Sequence, residues 1–216
     1  MRTLSQWARL LSPRTRRTIA IALLGFSAFS TLLGMRALTS FDQTAGAAGA
    51  TPARWPGWSG IKRSGGRPEL LVFVHPFCSC TAATMAEIEQ LSARRKPGAA
   101  APAITFLFFR PSNSGWGPNG LWRKAQDLEN ARAVWDDGAR EAKRFGARTS
   151  GYVLLYSAEG DLLFRGGITG SRGHQGDNYG LDQLVTSLDS GRSAGAPSRV
   201  FGCALGGLDE ETDGAQ

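Results

Sequence analysis

The chain has 216 residues, 42% of them hydrophobic, and a formal net charge of +7. The charge is unevenly placed: residues 1–64 hold nine Lys/Arg against one acid, Asp42, whereas residues 65–216 hold sixteen against seventeen acids. The part able to fold is therefore near neutral, which excludes a basic groove tracking a phosphate backbone, and no nucleic-acid partner is expected.

The N-terminal excess has a simpler reading. Arg2, Arg9, Arg14, Arg16 and Arg17 precede an uncharged stretch from Thr18 to Met35, rich in Ile, Leu, Ala and Phe. As a helix rising about 1.5 Å per residue it spans roughly 27 Å, close to the hydrocarbon thickness of a bilayer. Residues 1–17 are expected as a cytoplasmic basic tail and 18–36 as a single-pass signal anchor in the inner or plasma membrane. The domain beyond would then be periplasmic or extracellular, since positive charge stays inside. A cleaved signal peptide is the alternative, with Ala45-Gly46-Ala47 as its cleavage site, but its apolar core usually runs only about 7–15 residues. None of the three cysteines lies near residues 20–50, which excludes a lipidated cysteine.

Residues 37–64 are rich in Ala, Gly, Pro, Thr and Ser, show no period, and read as a flexible linker. Trp55 and Trp58 are either interfacial anchors or a cover for the domain edge. The domain is expected over 65–205. Glu69–His75 is a short apolar run between Pro68 and Pro76, as a fully buried strand should be. Ser79–Arg95 carries Ala82, Ala83, Met85, Ala86, Ile88 and Leu91 on a helical period, stopped by Lys96-Pro97-Gly98. Ala103–Phe109 is a second buried strand. A Pro/Gly/Asn/Ser loop follows over 111–120, then a helix from Leu121 to Leu128 and a short strand at Ala133-Val134-Trp135. A helix is expected from Asp137 to Phe145, a hairpin of Tyr152–Tyr156 with Leu162–Arg165, and a last helix from Leu181 to Leu188. The acidic stretch 206–216 is expected to be disordered.

Three cysteines and two histidines make up the chain's soft-ligand and nucleophile inventory. Cys78 and Cys80 stand where a helix begins after a buried strand, where the helix dipole and free N–H groups favour a thiolate. Outside the cytoplasm such a pair is free to be oxidised. Cys203 follows the last helix in Val200-Phe201-Gly202-Cys203-Ala204-Leu205. His75 precedes Pro76. His174 sits in a glycine-rich loop, Gly166-Gly167-Ile168-Thr169-Gly170-Ser171-Arg172-Gly173-His174-Gln175-Gly176-Asp177-Asn178, where Asp177 is placed to orient it. The loop is expected as a hydrogen-bonded scaffold over the cysteines, or as a surface facing substrate or metal.

An α/β order of β-α-β-α-β-α-β-β-α, with cysteines after the first long strand, resembles the thioredoxin-like fold: a central mixed sheet with helices on both faces, here behind one transmembrane helix. The resemblance covers roughly residues 66–190. The Cys-x-Cys motif, the loop Gly-Gly-Ile-Thr-x-Ser-Arg-Gly-His-x-Gly-Asp-Asn and the late Phe-Gly-Cys-x-Leu are together similar to the RedB-like bacterial proteins, a membrane-anchored kind. Two departures stand out. The superfamily's redox motif is Cys-x-x-Cys, and aligning on Cys78 puts Thr81 at the second cysteine. The superfamily's cis-proline would fall near Ser150, within Thr149-Ser150-Gly151.

Three functions remain open. In thiol-disulfide exchange with a thiol-containing client or redox partner, Cys78 attacks, Cys80 resolves, and Cys203 and His174 assist; no cofactor is required. In a metallochaperone, Cys78, Cys80 and Cys203 with His75 or His174 would bind Cu(I) or Zn²⁺. In a non-catalytic interaction module, Cys80 and Cys203 would form a permanent bridge.

Overall fold

The computed structural model describes residues 12–96, 98 and 101–206. Arg2 and Arg9 of the basic tail, and residues 207–216 of the acidic one, lie outside them. Two units result, residues 1–43 and 44–216. The first is built on α1 (Pro13–Gln43), a 31-residue helix that is largely apolar. Its apolar side chains, Ile21, Leu24, Phe26 and Leu32 among them, are exposed. At about 1.5 Å per residue it is roughly 46 Å long, more than a bilayer's hydrocarbon core requires. It is long and apolar enough for a membrane anchor or a signal sequence.

The second unit is built on β1 (Glu69–Val74), α2 (Ser79–Arg94), β2 (Ala103–Arg110), α3 (Gly120–Asp127), β3 (Ala131–Asp137), α4 (Arg140–Phe145), β4 (Val153–Tyr156), β5 (Leu162–Gly166) and α5 (Tyr179–Ser190). The strands form one sheet in the order β3-β2-β1-β4-β5. β1 pairs parallel with β2, Val72 opposite Phe106, and antiparallel with β4, Leu71 opposite Leu154. A parallel βαβ unit, an antiparallel hairpin and a closing helix make this a thioredoxin-like fold, with β3 added parallel at one edge.

The central strand is buried at every position because both faces are covered. Leu70, Val72 and Val74 pack with Met85, Ile88 and Leu91 of α2 and with Leu181, Leu184 and Leu188 of α5. Leu71 and Phe73 pack on the other face with Phe145, Tyr152, Leu154 and Tyr156. β1 therefore ends at a fixed place, and with it the start of α2.

Two expectations need correction. Residues 37–64 are not a free linker: α1 runs to Gln43, and the chain from Thr44 is docked on the domain. Ala48 pairs with Ala147 and Arg54 with Asp161 as isolated bridges. Trp55 sets its ring edge-on to Phe145 and Tyr156 at 5.2 and 5.3 Å, and the Tyr156 hydroxyl donates to the Pro52 carbonyl at 3.0 Å. Trp55 thus covers the second core, while Trp58 is exposed. The helix expected from Asp137 starts at Arg140, because Gly138 and Ala139 both adopt positive φ. Asp136 caps it instead, accepting from the N–H groups of Glu141 and Ala142 at 2.8 Å each.

Candidate functional site

Cys78 is the N-cap residue of α2, in extended conformation, and its N–H donates to the His75 carbonyl at 3.0 Å. The tight turn His75–Cys78 carries the chain from β1 into the helix and leaves the Cys78 sulfur at the helix mouth. Cys80 lies in the first turn. All three cysteines are free thiols; Cys78 and Cys80 are buried and Cys203 is exposed.

Cys203 arrives from the far end of the sequence. After α5 the chain returns across the domain, and residues 203–205 lie antiparallel to Arg148–Ser150. Ser150 N–H donates to the Cys203 carbonyl and Leu205 N–H to the Arg148 carbonyl, both at 2.8 Å, with Thr149 paired to Ala204. Gly46 N–H holds Val200 at 2.8 Å, and the Arg172 guanidinium donates to the Gly202 carbonyl at 2.7 Å. This strap presents Cys203 to Cys78.

The electrostatics of the three thiols are asymmetric. Burial pushes the Cys78 thiol up. The thiol and N–H of Cys203, with the N–H groups of Thr81 and Cys80, outweigh that and hold it below the ordinary thiol range. Burial, the neighbouring Cys78 charge and the proton Cys80 offers to Cys78 all push Cys80 up, against a smaller opposite pull from Arg172. Burial, donation to Cys78 and the charges of Cys78 and Cys80 push Cys203 up to about 12, Arg172 again opposing. Cys78 is the one thiol of the set shifted toward its anion, and its two sister thiols are placed as proton donors to it.

Ser150 stands where the superfamily's proline would fall. Its fully buried hydroxyl accepts from the His75 N–H at 2.8 Å and shares a proton with the Thr81 hydroxyl at 2.5 Å. It ties the end of β1, the first turn of α2 and the segment carrying the strap into one unit.

The histidines are elsewhere. The His75 ring sits 5.7 Å from both Phe109 and Trp116, and burial there pushes its pKa down. Phe77, the residue before Cys78, is 65% exposed and rests edge-on against Trp116 at 4.8 Å. His174 is exposed; its Nδ1 lies 2.9 Å from the Arg172 carbonyl and 2.8 Å from the Ser171 hydroxyl. Asp177 does not orient it. Asp177 accepts from Arg94 of α2 at 2.5 Å, and Gly176 N–H donates to buried Glu87 of the same helix. The loop 166–178 is therefore a scaffold pinned to α2, from which Arg172 reaches the strap and the thiols. Arg172 and Ser150 are the site residues that sequence reasoning left without a role. Arg172 was one polar residue among several in the loop, and only the return of the strap gives it a partner. Among the described residues, no group of three or more His, Cys, Asp or Glu is arranged to hold a metal ion. Both imidazoles of the set expected for Cu(I) or Zn²⁺ are engaged elsewhere, His75 among rings and His174 with its own loop.

No family model and no curated protein matches the chain. Solved structures do. An uncharacterized conserved protein from Geobacillus kaustophilus is 14% identical, with a TM-score of 0.50 over 77% of this chain and 93% of its own. That likeness bears on the fold alone. Looser overlays are with the N-terminal domain of PilB from Neisseria gonorrhoeae (11% identity, TM-score 0.38, 59% of this chain and 79% of that one). A secreted disulfide oxidoreductase of Mycobacterium tuberculosis, homologous to E. coli DsbE, gives 17% identity and a TM-score of 0.34 over 57% of this chain and 81% of its own.

Proposed function

We propose that this is a membrane-anchored, outward-facing thioredoxin-like protein that exchanges thiols and disulfides with a client, using Cys78 as nucleophile and Cys203 as resolving thiol. Its kinship with the RedB-like bacterial proteins is part of the proposal, carried by the loop 166–178 and the Phe201–Leu205 pattern. The observation that carries the chemistry is the convergence of Cys80 and Cys203 on a thiol that alone of the three is shifted toward its anion.

The Cys78 thiolate attacks one sulfur of a client disulfide. A Cys78–client bond forms as the client's S–S bond breaks, and the displaced sulfur leaves as a thiolate that takes a proton from water. With Cys78 in a mixed disulfide its negative charge is gone. Two of the causes that raise Cys203, donation to Cys78 and repulsion by its charge, vanish with it. Cys203 then loses its proton to water and attacks the Cys78 sulfur. The Cys78–Cys203 bond forms as the Cys78–client bond breaks, and the second client sulfur leaves as a thiolate that takes a proton from water. The client gains two electrons and the cysteine pair loses two; a dithiol partner resets it, and the reverse sequence oxidises a dithiol client. Cys80 is the less suited resolver, since a Cys-x-Cys disulfide closes a small strained ring in the first turn of a helix.

The test is trapping. Cys203→Ser, treated with an aromatic disulfide, should accumulate a mixed disulfide at Cys78, mapped by mass spectrometry, while the unaltered chain proceeds to an internal Cys78–Cys203 bond. Adducts on Cys80, or none at Cys78, would overturn the assignment.

A further inference from the structure

The strap is more than a carrier for one thiol. It is an extended segment, paired by its backbone to Arg148–Ser150, that delivers a cysteine to Cys78. Its side chains fit the ground they cross. Val200, Phe201 and Leu205 are buried, Val200 and Leu205 within the second core. Gly202 lies against the chain so closely that a Cβ there would stand 2.0 Å from the Ser150 carbonyl oxygen. The position before the cysteine therefore admits glycine and nothing larger without a shift, and the positions two before and two after it want apolar groups. Cys203 itself and Ala204 are exposed.

We infer that Val200–Leu205 is an internal stand-in for the client. The edge Arg148–Ser150 is a docking strand for an extended protein segment of the pattern apolar, glycine, cysteine, any residue, apolar, and the client competes there with the chain's own copy. This rests on the exchange chemistry proposed above. It adds what that chemistry leaves open: which cysteines are chosen, and why Cys78, at 2% exposure, is shielded when no client is present. Two hydrogen bonds made by the strap, at Ser150 N–H and the Arg148 carbonyl, would pass to the incoming segment, so exchange of occupants leaves both of these backbone groups paired.

The experiment uses the full chain in detergent micelles. The probe is the peptide Val-Phe-Gly-Cys-Ala-Leu, its cysteine activated as a mixed disulfide with thionitrobenzoate, so that attack by Cys78 releases a coloured thiolate. Two companion peptides change one feature each: alanine in place of the glycine, and N-methyl-leucine at the last position, which removes the N–H that would meet the Arg148 carbonyl. Leu205→Pro removes the same N–H from the strap and loosens the internal competitor. The parent peptide should react about tenfold faster with Leu205→Pro than with the unaltered chain, and about fivefold faster than the N-methyl peptide on either, the size of one net hydrogen bond. The alanine peptide should be slower still. The ratio of parent to N-methyl peptide on the unaltered chain needs no variant, so it stands even where Leu205→Pro folds poorly. Equal rates for the three peptides, with an aromatic disulfide still modifying Cys78, would overturn the docking strand and leave the exchange chemistry standing. Failure of the aromatic disulfide itself to modify Cys78 would overturn both.

Discussion

Cys203→Ala and Cys203→Ser separate the two things Cys203 does for Cys78. Both remove the sulfur proposed to resolve the mixed disulfide, but serine keeps a hydroxyl donor at that place and alanine keeps none. Cys78 is held down by four groups: the Cys203 thiol, the Cys203 N–H and the N–H groups of Thr81 and Cys80. Only the first is lost in alanine. A hydrogen bond to a charged group contributes about 1.5–3 kcal/mol, and a thiol is a weak donor, so the low end applies. At about 1.4 kcal/mol per pKa unit this predicts a rise of about one unit in Cys203→Ala. Cys203→Ser should stay close to the unaltered chain. The assay is the pH dependence of iodoacetamide alkylation at Cys78, followed by mass spectrometry in a Cys80→Ser background. Coincident titration curves for the alanine, the serine and the unaltered chain would refute the claim that Cys203 sets the ionisation of Cys78.

Other outcomes follow from single contacts. Cys80, Cys203 and Tyr156 all have raised pKa values, each chiefly through burial, with Cys203 at about 12. The stability they contribute is whole below their unfolded values, about 8.5 for Cys and about 10 for Tyr, and is lost as pH rises through the folded ones, because the unfolded chain ionises first. Cys78, shifted the other way, opposes only part of this, so Tm should fall steadily above about pH 8.5, and fall less steeply in a Cys80→Ala, Cys203→Ala double variant. Ser150→Ala strips the acceptor from the His75 N–H and should cost about 1–3 kcal/mol in urea unfolding. Trp55→Ala, which takes away a ring packed on Phe145 and Tyr156, should cost about 2–3 kcal/mol and open residues 44–61 to protease. His174→Ala should leave Cys78 alkylation within about twofold, because its Nδ1 serves its own loop.

What could be read from the residues was whatever burial writes into side chains. β1 and β2 are apolar at nearly every position because both faces of the sheet are covered, and the element order followed from them. What failed was backbone-driven. The stretch after Gln43 has the composition of a linker, yet it docks through backbone pairs such as Gly46 to Val200 and Gly49 to Gly146, which place little demand on residue type. The late start of α4 depends on Ala139 at a φ of 57°, a conformation alanine does not advertise. The cysteine cluster was legible as an inventory, and its convergence became visible only once the strap was seen to pair with Arg148–Ser150. Arg172 and Ser150 were hidden for the same reason: each owes its role to a neighbour distant in sequence.

The arrangement divides reactivity from accessibility. Cys78 carries the favourable ionisation and is 2% exposed; Cys203 is exposed and protonated at neutral pH. Fast attack by a thiol needs both a thiolate and a path to it. Neither cysteine meets both conditions while the strap is seated, so a passing oxidant finds a covered thiol that ionises more readily or an open one that ionises less. Lifting residues 203–205 changes both terms in opposite directions. It uncovers Cys78, and it withdraws the Cys203 donor that favoured the anion. A client that replaces the strap along Arg148–Ser150 resolves the conflict by bringing its own sulfur to Cys78 as the cover leaves. On the proposed docking, exchange with a docked segment should outpace reaction with bulk thiols or disulfides, with selectivity set by the backbone edge tied through Ser150.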